Sequence, residues 1–202
     1  MKLFFHYCSF GFSNCYVLGT EGSRDAIIID PGSMDKQLLE HIEDNDFNPS
    51  AVLITHNHLG HVHGLRTLCR IYNSEIYAIN RVVLDIKTTP VKDGDKVSIG
   101  PFSVGVISIP GHSADSAVYL IDNLLFTGDV LTACMVGSTA SAYGAATQMN
   151  KLRSRLLSLP GDYVVLPGHG PPSSLEAERR FNVGINQYQE TQTRRPAIKL
   201  SF

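Results

Sequence analysis

Four of the chain's eight histidines, His56, His58, His61 and His63, fall within eight consecutive residues of the stretch Ile54-Thr55-His56-Asn57-His58-Leu59-Gly60-His61-Val62-His63-Gly64. Neutral imidazole is the commonest protein ligand for zinc and related ions, so a His-x-His-x-x-His run points first to metal chemistry. The alternative is a polar loop of solvent-exposed histidines. The residues on either side speak against it. On the amino-terminal side, Ala51-Val52-Leu53-Ile54 is a short apolar run that reads as a buried strand. On the carboxyl-terminal side, Gly64-Leu65-Arg66-Thr67-Leu68 reads as the opening of a helix. The imidazoles thus stand on a strand-to-helix turn, at the carboxyl end of a strand, where open α/β sheets place their sites.

Three more apolar runs end on a residue that can bind a metal. Ile109-Pro110-Gly111-His112 ends in a histidine, Phe126-Thr127-Gly128-Asp129 in a carboxylate, and Leu166-Pro167-Gly168-His169 in another histidine. Glycine allows a tight turn and a close approach of backbone, so each ligand can project from its strand end into a shared cleft. Taken singly, Asp129 reads as a helix cap, and His112 or His169 as a turn residue. Three repeats of one strand-Gly-ligand design, beside His56, His58 and His61, make a joint metal site the better reading.

The elements that must hold these residues can be placed from periodicity. Strands are expected over 2–8, 15–19, 26–29, 51–54, 75–78, 96–99, 102–109, 117–121, 124–126 and 164–166. Helical spacing is found over 35–45 (Leu38, Leu39, Ile42), over 145–157 (Met149, Leu152, Leu156, Leu157) and over 174–190, opened by Ser174. With neither an internal repeat nor a low-complexity linker, residues 1–202 are expected to form one layered α/β domain.

Composition narrows the classes. At 43% hydrophobic and 18% charged residues, with a formal net charge of −2, the chain reads neither as disordered nor as a surface for nucleic acid. No apolar run approaches the roughly 20 residues that a bilayer requires. The start, Met1-Lys2-Leu3-Phe4-Phe5-His6-Tyr7, lacks a sustained apolar core and a small-residue cleavage site, so it is expected to be a first strand, not a signal peptide. Cys8, Cys15, Cys69 and Cys134 show no CxxC spacing, which fits free thiols in a cytoplasmic protein. The oligomeric state is left open.

The run Thr55-His56-Asn57-His58-Leu59-Gly60-His61, with Gly111-His112, Thr127-Gly128-Asp129 and Gly168-His169-Gly170, resembles the metallo-β-lactamase superfamily over residues 15–180. Ile29-Asp30-Pro31-Gly32 and Leu166-Pro167-Gly168-His169-Gly170-Pro171 are similar to its glyoxalase II-like members. The resemblance implies a four-layer αββα sandwich with the metal centre at one edge of its two sheets. It implies a first metal on His56, His58 and His112, and a second on His61 and His169, with Asp129 bridging both. Zinc is the implied ion, one or two, with iron and manganese as alternatives. Asp30 is either an outer carboxylate behind a ligand histidine or a turn residue of Asp-Pro-Gly.

One position departs from the pattern. The superfamily motif reads His-x-His-x-Asp-His, and residue 60 here is glycine. The missing aspartate belongs to the second metal, so a strong first site and a weakened or empty second are expected. His63 lies outside the pattern and is either an aid to that second metal or a surface residue at a helix start. His6 and His41 have no ligand neighbours and are given structural roles. The chain has no room for the further helical domain of glyoxalase II. The segment 132–146 carries small residues and no arginine, a lid or a permissive connection in which Tyr143 alone is large enough to touch a substrate.

A hydrolase that uses metal-activated water on a small-molecule thioester is the leading functional expectation, with Asp129 as its catalytic carboxylate. A metal-binding protein with little activity, and an iron-dependent oxidoreductase, are the alternatives. Nucleic-acid and membrane partners are not expected.

Overall fold

A computed structural model describes residues 1–187. The first half builds one sheet and its helices: β1 (Lys2–Tyr7), β2 (Asn14–Gly19), β3 (Asp25–Ile29), α1 (Lys36–Glu43), β4 (Asn48–Leu53), α2 (Leu59–Val62), α3 (Leu65–Ile71), β5 (Glu75–Ala78), the hairpin β6 (Val82–Val83) and β7 (Ile86–Lys87), and β8 (Thr89–Pro90). The second half repeats the plan: β9 (Lys96–Ile99), β10 (Phe102–Ser108), β11 (Ala117–Ile121), β12 (Leu124–Gly128), the hairpin β13 (Leu131–Thr132) and β14 (Met135–Val136), α4 (Ala142–Lys151), β15 (Val164–Pro167), β16 (Ser173–Ser174) and α5 (Leu175–Phe181). The first sheet runs β1-β2-β3-β4-β5-β8 and the second β16-β15-β12-β11-β10-β9.

Side-chain alternation decides the layering, because successive residues of a strand face opposite sides. Tyr16, Leu18, Ile27, Ile29, Ala51 and Leu53 of the first sheet meet Val104, Val106, Tyr119, Ile121, Leu124 and Phe126 of the second in a core between the sheets. Their neighbours Val17, Ile28 and Val52 face outward and pack on Leu38, Ile42, Val62, Leu65 and Leu68 of α1–α3. On the far side, Ile107, Val118, Leu125 and Val165 pack on Met149, Leu152, Leu156 and Leu175. Three apolar clusters between four layers make this an αββα sandwich.

Helix ends obey their sequence signals with two differences. Ser174 opens α5, its Oγ accepting from Ala177 N at 3.2 Å. The helix expected over 174–190 breaks after Phe181, because extended Asn182 caps a new turn through Oδ1, which accepts from Ile185 N at 3.2 Å. Residues 183–187 are helical again, and 188–190 lie outside the described residues. The helix expected over 145–157 starts earlier, at Ala142, where Ser141 Oγ caps Gly144 N at 3.0 Å. Its last turn, Leu152–Leu156, widens to a π-turn that keeps both leucines buried. The hairpins β6–β7 and β13–β14, two residues per strand, are too short for a periodic signal.

Candidate metal centre

Five strand ends meet at one edge of the sandwich. Asp30 comes after β3, His56 after β4, His58 and His61 sit at and in α2, and His112, Asp129 and His169 come after β10, β12 and β15. The strand-Gly-ligand design has a physical use here. A Cβ on Gly168 would lie 2.5 Å from His61 Cε1 and 2.6 Å from Asp129 Oδ1, so only glycine lets β15 deliver His169 to this place.

Two groups of donors result. His56 Nε2 and His112 Nε2 each stand 3.0 Å from His58 Nδ1. Asp129 lies between this triad and a second group, with Oδ2 3.8 Å from His56 Nε2, 3.7 Å from His112 Nε2 and 3.4 Å from His61 Nε2. Its Oδ1 is 2.8 Å from His169 Nδ1. In each of the groups His56–His58–His112 and His61–Asp129–His169, one donor atom per residue lies within 4.8 Å of the others.

Four of the imidazoles are tied from behind. His61 Nδ1 donates to Asp30 Oδ2 at 3.0 Å, His112 Nδ1 to Ser138 O at 2.8 Å, and His169 Nε2 to Gly11 O at 3.0 Å. Thr55 Oγ1 donates to Asp30 Oδ2 at 2.6 Å and accepts from His56 Nδ1 at 3.1 Å. Oxygen acceptors fix the proton on the outer nitrogen of each ring, which turns the other nitrogen's lone pair inward. Asp30 is therefore both a turn residue, at φ 51°, and the buried carboxylate behind His56 and His61.

The donor set fits a divalent ion. His61 Nε2 is buried without a hydrogen-bond partner, its nearest carboxylate oxygen being Asp129 Oδ2 at 3.4 Å, and an unpaired buried group of this kind costs about 1–3 kcal/mol unless something satisfies it. Burial pushes His56 down to about 3, with His61 and His112 adding to it, so this ring is neutral and able to ligate at pH 7. His58 is lowered by burial and by His112. At His61 burial works against charge, yet Asp129 and Asp30 outweigh it and raise the imidazole to about 10. Burial likewise opposes the Asp129 carboxylate, but His169 and His61 hold it well below the usual range. The second group thus carries a net pull for positive charge.

A model of the metallo-β-lactamase superfamily matches residues 8–169. The chain belongs to this superfamily. An uncharacterized protein of Mycobacterium tuberculosis (strain ATCC 25618 / H37Rv) is 32% identical over 206 residues, covering 84% of this chain and 91% of its own. A hydroxyacylglutathione hydrolase of Vibrio cholerae serotype O1 (strain M66-2) is 34% identical over 148 residues, 72% of this chain and 57% of that enzyme, so the match spans little more than half of it. A probable polyketide biosynthesis zinc-dependent hydrolase of Bacillus velezensis is 28% identical, covering 84% and 80%. Among solved structures, ETHE1 from Myxococcus xanthus superposes with a TM-score of 0.81 at 25% identity over 97% of this chain and 93% of its own. A protein crystallised in a di-iron-bound form gives 0.75 at 25% identity over 89% and 98%. Divalent-metal binding and metal-dependent hydrolysis are the general properties that this superfamily membership supports.

All six residues that the sequence marks as ligands in this metallo-β-lactamase domain, His56, His58, His61, His112, Asp129 and His169, come together at the one edge. His63 joins neither donor group; it is exposed and stacks on Phe10 at 4.0 Å and 18°. His6 is buried away from the centre on Asp35 and Ser33, and His41 packs on Phe4. Against expectation, Tyr143, 82% exposed on the first turn of α4, does not line the cavity beside the centre, whereas Met135 and Val136 of the same segment do. That cavity, about 280 Å³, is bounded by His112, Asp129, His169, Thr132, Met135, Val136, Gly137 and Ser138. Among the described residues no helix is long and apolar enough to cross a membrane.

One positioning residue has almost no signature in the sequence. Asp115 Oδ2 accepts from Asn57 N at 3.0 Å and from Asn80 Nδ2 at 2.8 Å, while Oδ1 accepts from Ser113 Oγ at 2.7 Å. It ties the His56–His58 turn to the His112 turn. Its only mark is that it is a carboxylate three residues past His112.

Proposed function

We propose that this protein is a metal-dependent hydrolase that opens a small-molecule thioester of the acyl-glutathione type. The observation that carries the reading is the set of inward-facing nitrogens around the Asp129 carboxylate, with the outer nitrogens of His56, His61, His112 and His169 tied to protein acceptors. His56, His58 and His112 would hold the tighter ion, and His61 and His169 a weaker one, with Asp129 facing both. An ion held by these residues would lower the pKa of a water and polarise a substrate carbonyl. Zinc is the ion proposed, in keeping with the zinc-dependent hydrolase of Bacillus velezensis, with iron as the alternative that the di-iron-bound relative supports.

The chain's own groups do the rest. Asp30 and Thr55 keep His56 and His61 in the ligating tautomer. Asp129 supplies a charged acceptor at the centre, able to orient a water between the two groups. The cavity of about 280 Å³ offers Met135 and Val136 as apolar walls and Thr132 as a hydroxyl for the acyl part. No lysine or arginine is among its lining residues, so it favours an uncharged acyl group.

Thiol release from acyl-thioesters tests this. Zinc-loaded protein should release thiol, a chelator should abolish the release, and added zinc should restore it, against a blank for the protein's own cysteines. Folded, zinc-loaded protein that turns over no thioester would leave the metal-binding reading in its place.

A further inference from the structure

The loop between β1 and β2 lies across the second donor group, and contacts from four residues, three in the loop and one at the start of β2, hold it there. Gly11 O accepts from His169 Nε2 at 3.0 Å. Ser13 Oγ donates to Gly60 O at 2.6 Å. Phe10 stacks on His63 at 4.0 Å, and Asn14 joins the turn after β15 by donating from N to Gly168 O at 2.7 Å and from Nδ2 to Gly170 O at 2.7 Å. Gly11 itself has φ 72°, and a Cβ added to it would meet Gly60 Cα at 2.6 Å. Two glycine backbones, one on the loop and one on α2, approach here, and a side chain on the loop glycine would keep them apart.

We propose that this loop is a built-in strap that positions His169 for a second metal ion, with the Gly11 carbonyl fixing the ring so that Nδ1 faces Asp129 and His61. The proposal rests on the metal-centre reading above but not on any substrate. The geometry is that of an outer acceptor behind a ligating histidine, whose loss typically weakens metal binding on the order of 10–100-fold. It parallels Asp30 behind His61, so both histidines of the second group are held from the side away from Asp129. The hydrogen bonds of the strap go to the second group and its neighbours, whereas His112 of the first triad leans on Ser138 O. The strap therefore serves one ion and not the other. Because the acceptor is a main-chain carbonyl, residue 11 contributes by its backbone alone, and its want of a side chain is what lets it reach.

Zinc titration against a competing chelator, on wild type, Gly11→Ala and Gly22→Ala, separates this role from general stability. Gly22 has φ 79° with nothing within 4 Å of an added Cβ, so its alanine variant carries the same backbone strain without touching the site. The expected result is a second zinc bound at least about tenfold more weakly in Gly11→Ala, with the first unchanged, and both unchanged in Gly22→Ala. Phe10→Ala, which removes the stack on His63 without opening the core, should weaken the second zinc several-fold even if Gly11→Ala does not fold. Equal second-zinc affinity in wild type and both strap variants overturns the proposal, as does a wild type that takes up no second zinc at any concentration. Loss of both ions together, in step with a lower melting temperature, also overturns it. None of these readouts needs turnover, so they stand or fall apart from the thioester assignment.

Discussion

Residue 60 is glycine, and what a carboxylate would do at that position depends on local backbone. Gly60 lies in the short helix α2 outside the left-handed region, and a Cβ there would make ordinary contact, 3.5 Å from Gly11 Cα and 3.8 Å from Gly11 O. The geometry of this turn therefore does not demand glycine. Gly60→Asp is expected to fold, and its carboxylate adds a negative charge beside His61 and His169. The expected outcome is tighter second-ion binding, read by chelator competition, with faster thioester hydrolysis alongside it. A stable variant with unchanged second-ion affinity would show that the present ligands and strap already satisfy that position.

Among the elements, the strands were legible because alternation of apolar residues sorts each side chain between the inter-sheet core and a helix layer, as with Ile27 and Ile28. The six donor residues that converge were legible because each comes after a strand and, for His112, Asp129 and His169, a glycine. Partners distant in sequence could not be read. Ser138 O and Gly11 O are main-chain groups with no residue signature, and Asp115 meets Asn57 across 58 residues. Asp115→Ala should weaken the first ion on the order of tenfold, because the two turns that carry His56, His58 and His112 lose their tie. Asp115→Asn, which keeps an acceptor, should recover part of it. A fall in melting temperature with unchanged affinity, or an altered second ion alone, would refute the positioning role. Glu178 does comparable work for the hairpin that walls the cavity. Fully buried, it accepts from Cys134 N at 3.1 Å, Ser173 Oγ at 2.6 Å and Asn182 Nδ2 at 2.6 Å. Glu178→Ala leaves these donors unpaired and is expected to cost about 2–4 kcal/mol in urea unfolding; a cost below about 1 kcal/mol would mean that water replaces the carboxylate.

Across the whole molecule, the centre is a seam between the two sheets. His56, His58 and His61 belong to the first sheet's end and His112, Asp129 and His169 to the second's, so a bound ion links layers that otherwise meet through apolar packing and a few hydrogen bonds such as Ala117 N to Thr55 O. An ion that binds only the folded chain stabilises it by about 2.7 kcal/mol when its free concentration is a hundred times the dissociation constant. For a chain of this length that corresponds to roughly 5–10 °C in melting temperature. Chelation should therefore lower the melting temperature by about that amount, and zinc should restore it. His112 is the one member of the first triad that comes from the second sheet, so His112→Ala should abolish most of the zinc-induced rise while its metal-free melting temperature stays near that of metal-free wild type. Asp129→Ala should lose the rise as well, since both donor groups face that carboxylate. His41→Ala, on α1 and remote from the donors, should keep the full rise. The comparison within each variant, with and without zinc, is what isolates ligation from packing: a His112→Ala protein that gains as much from zinc as wild type would mean that the ion does not bridge the sheets, and the ligand assignment would fail with it.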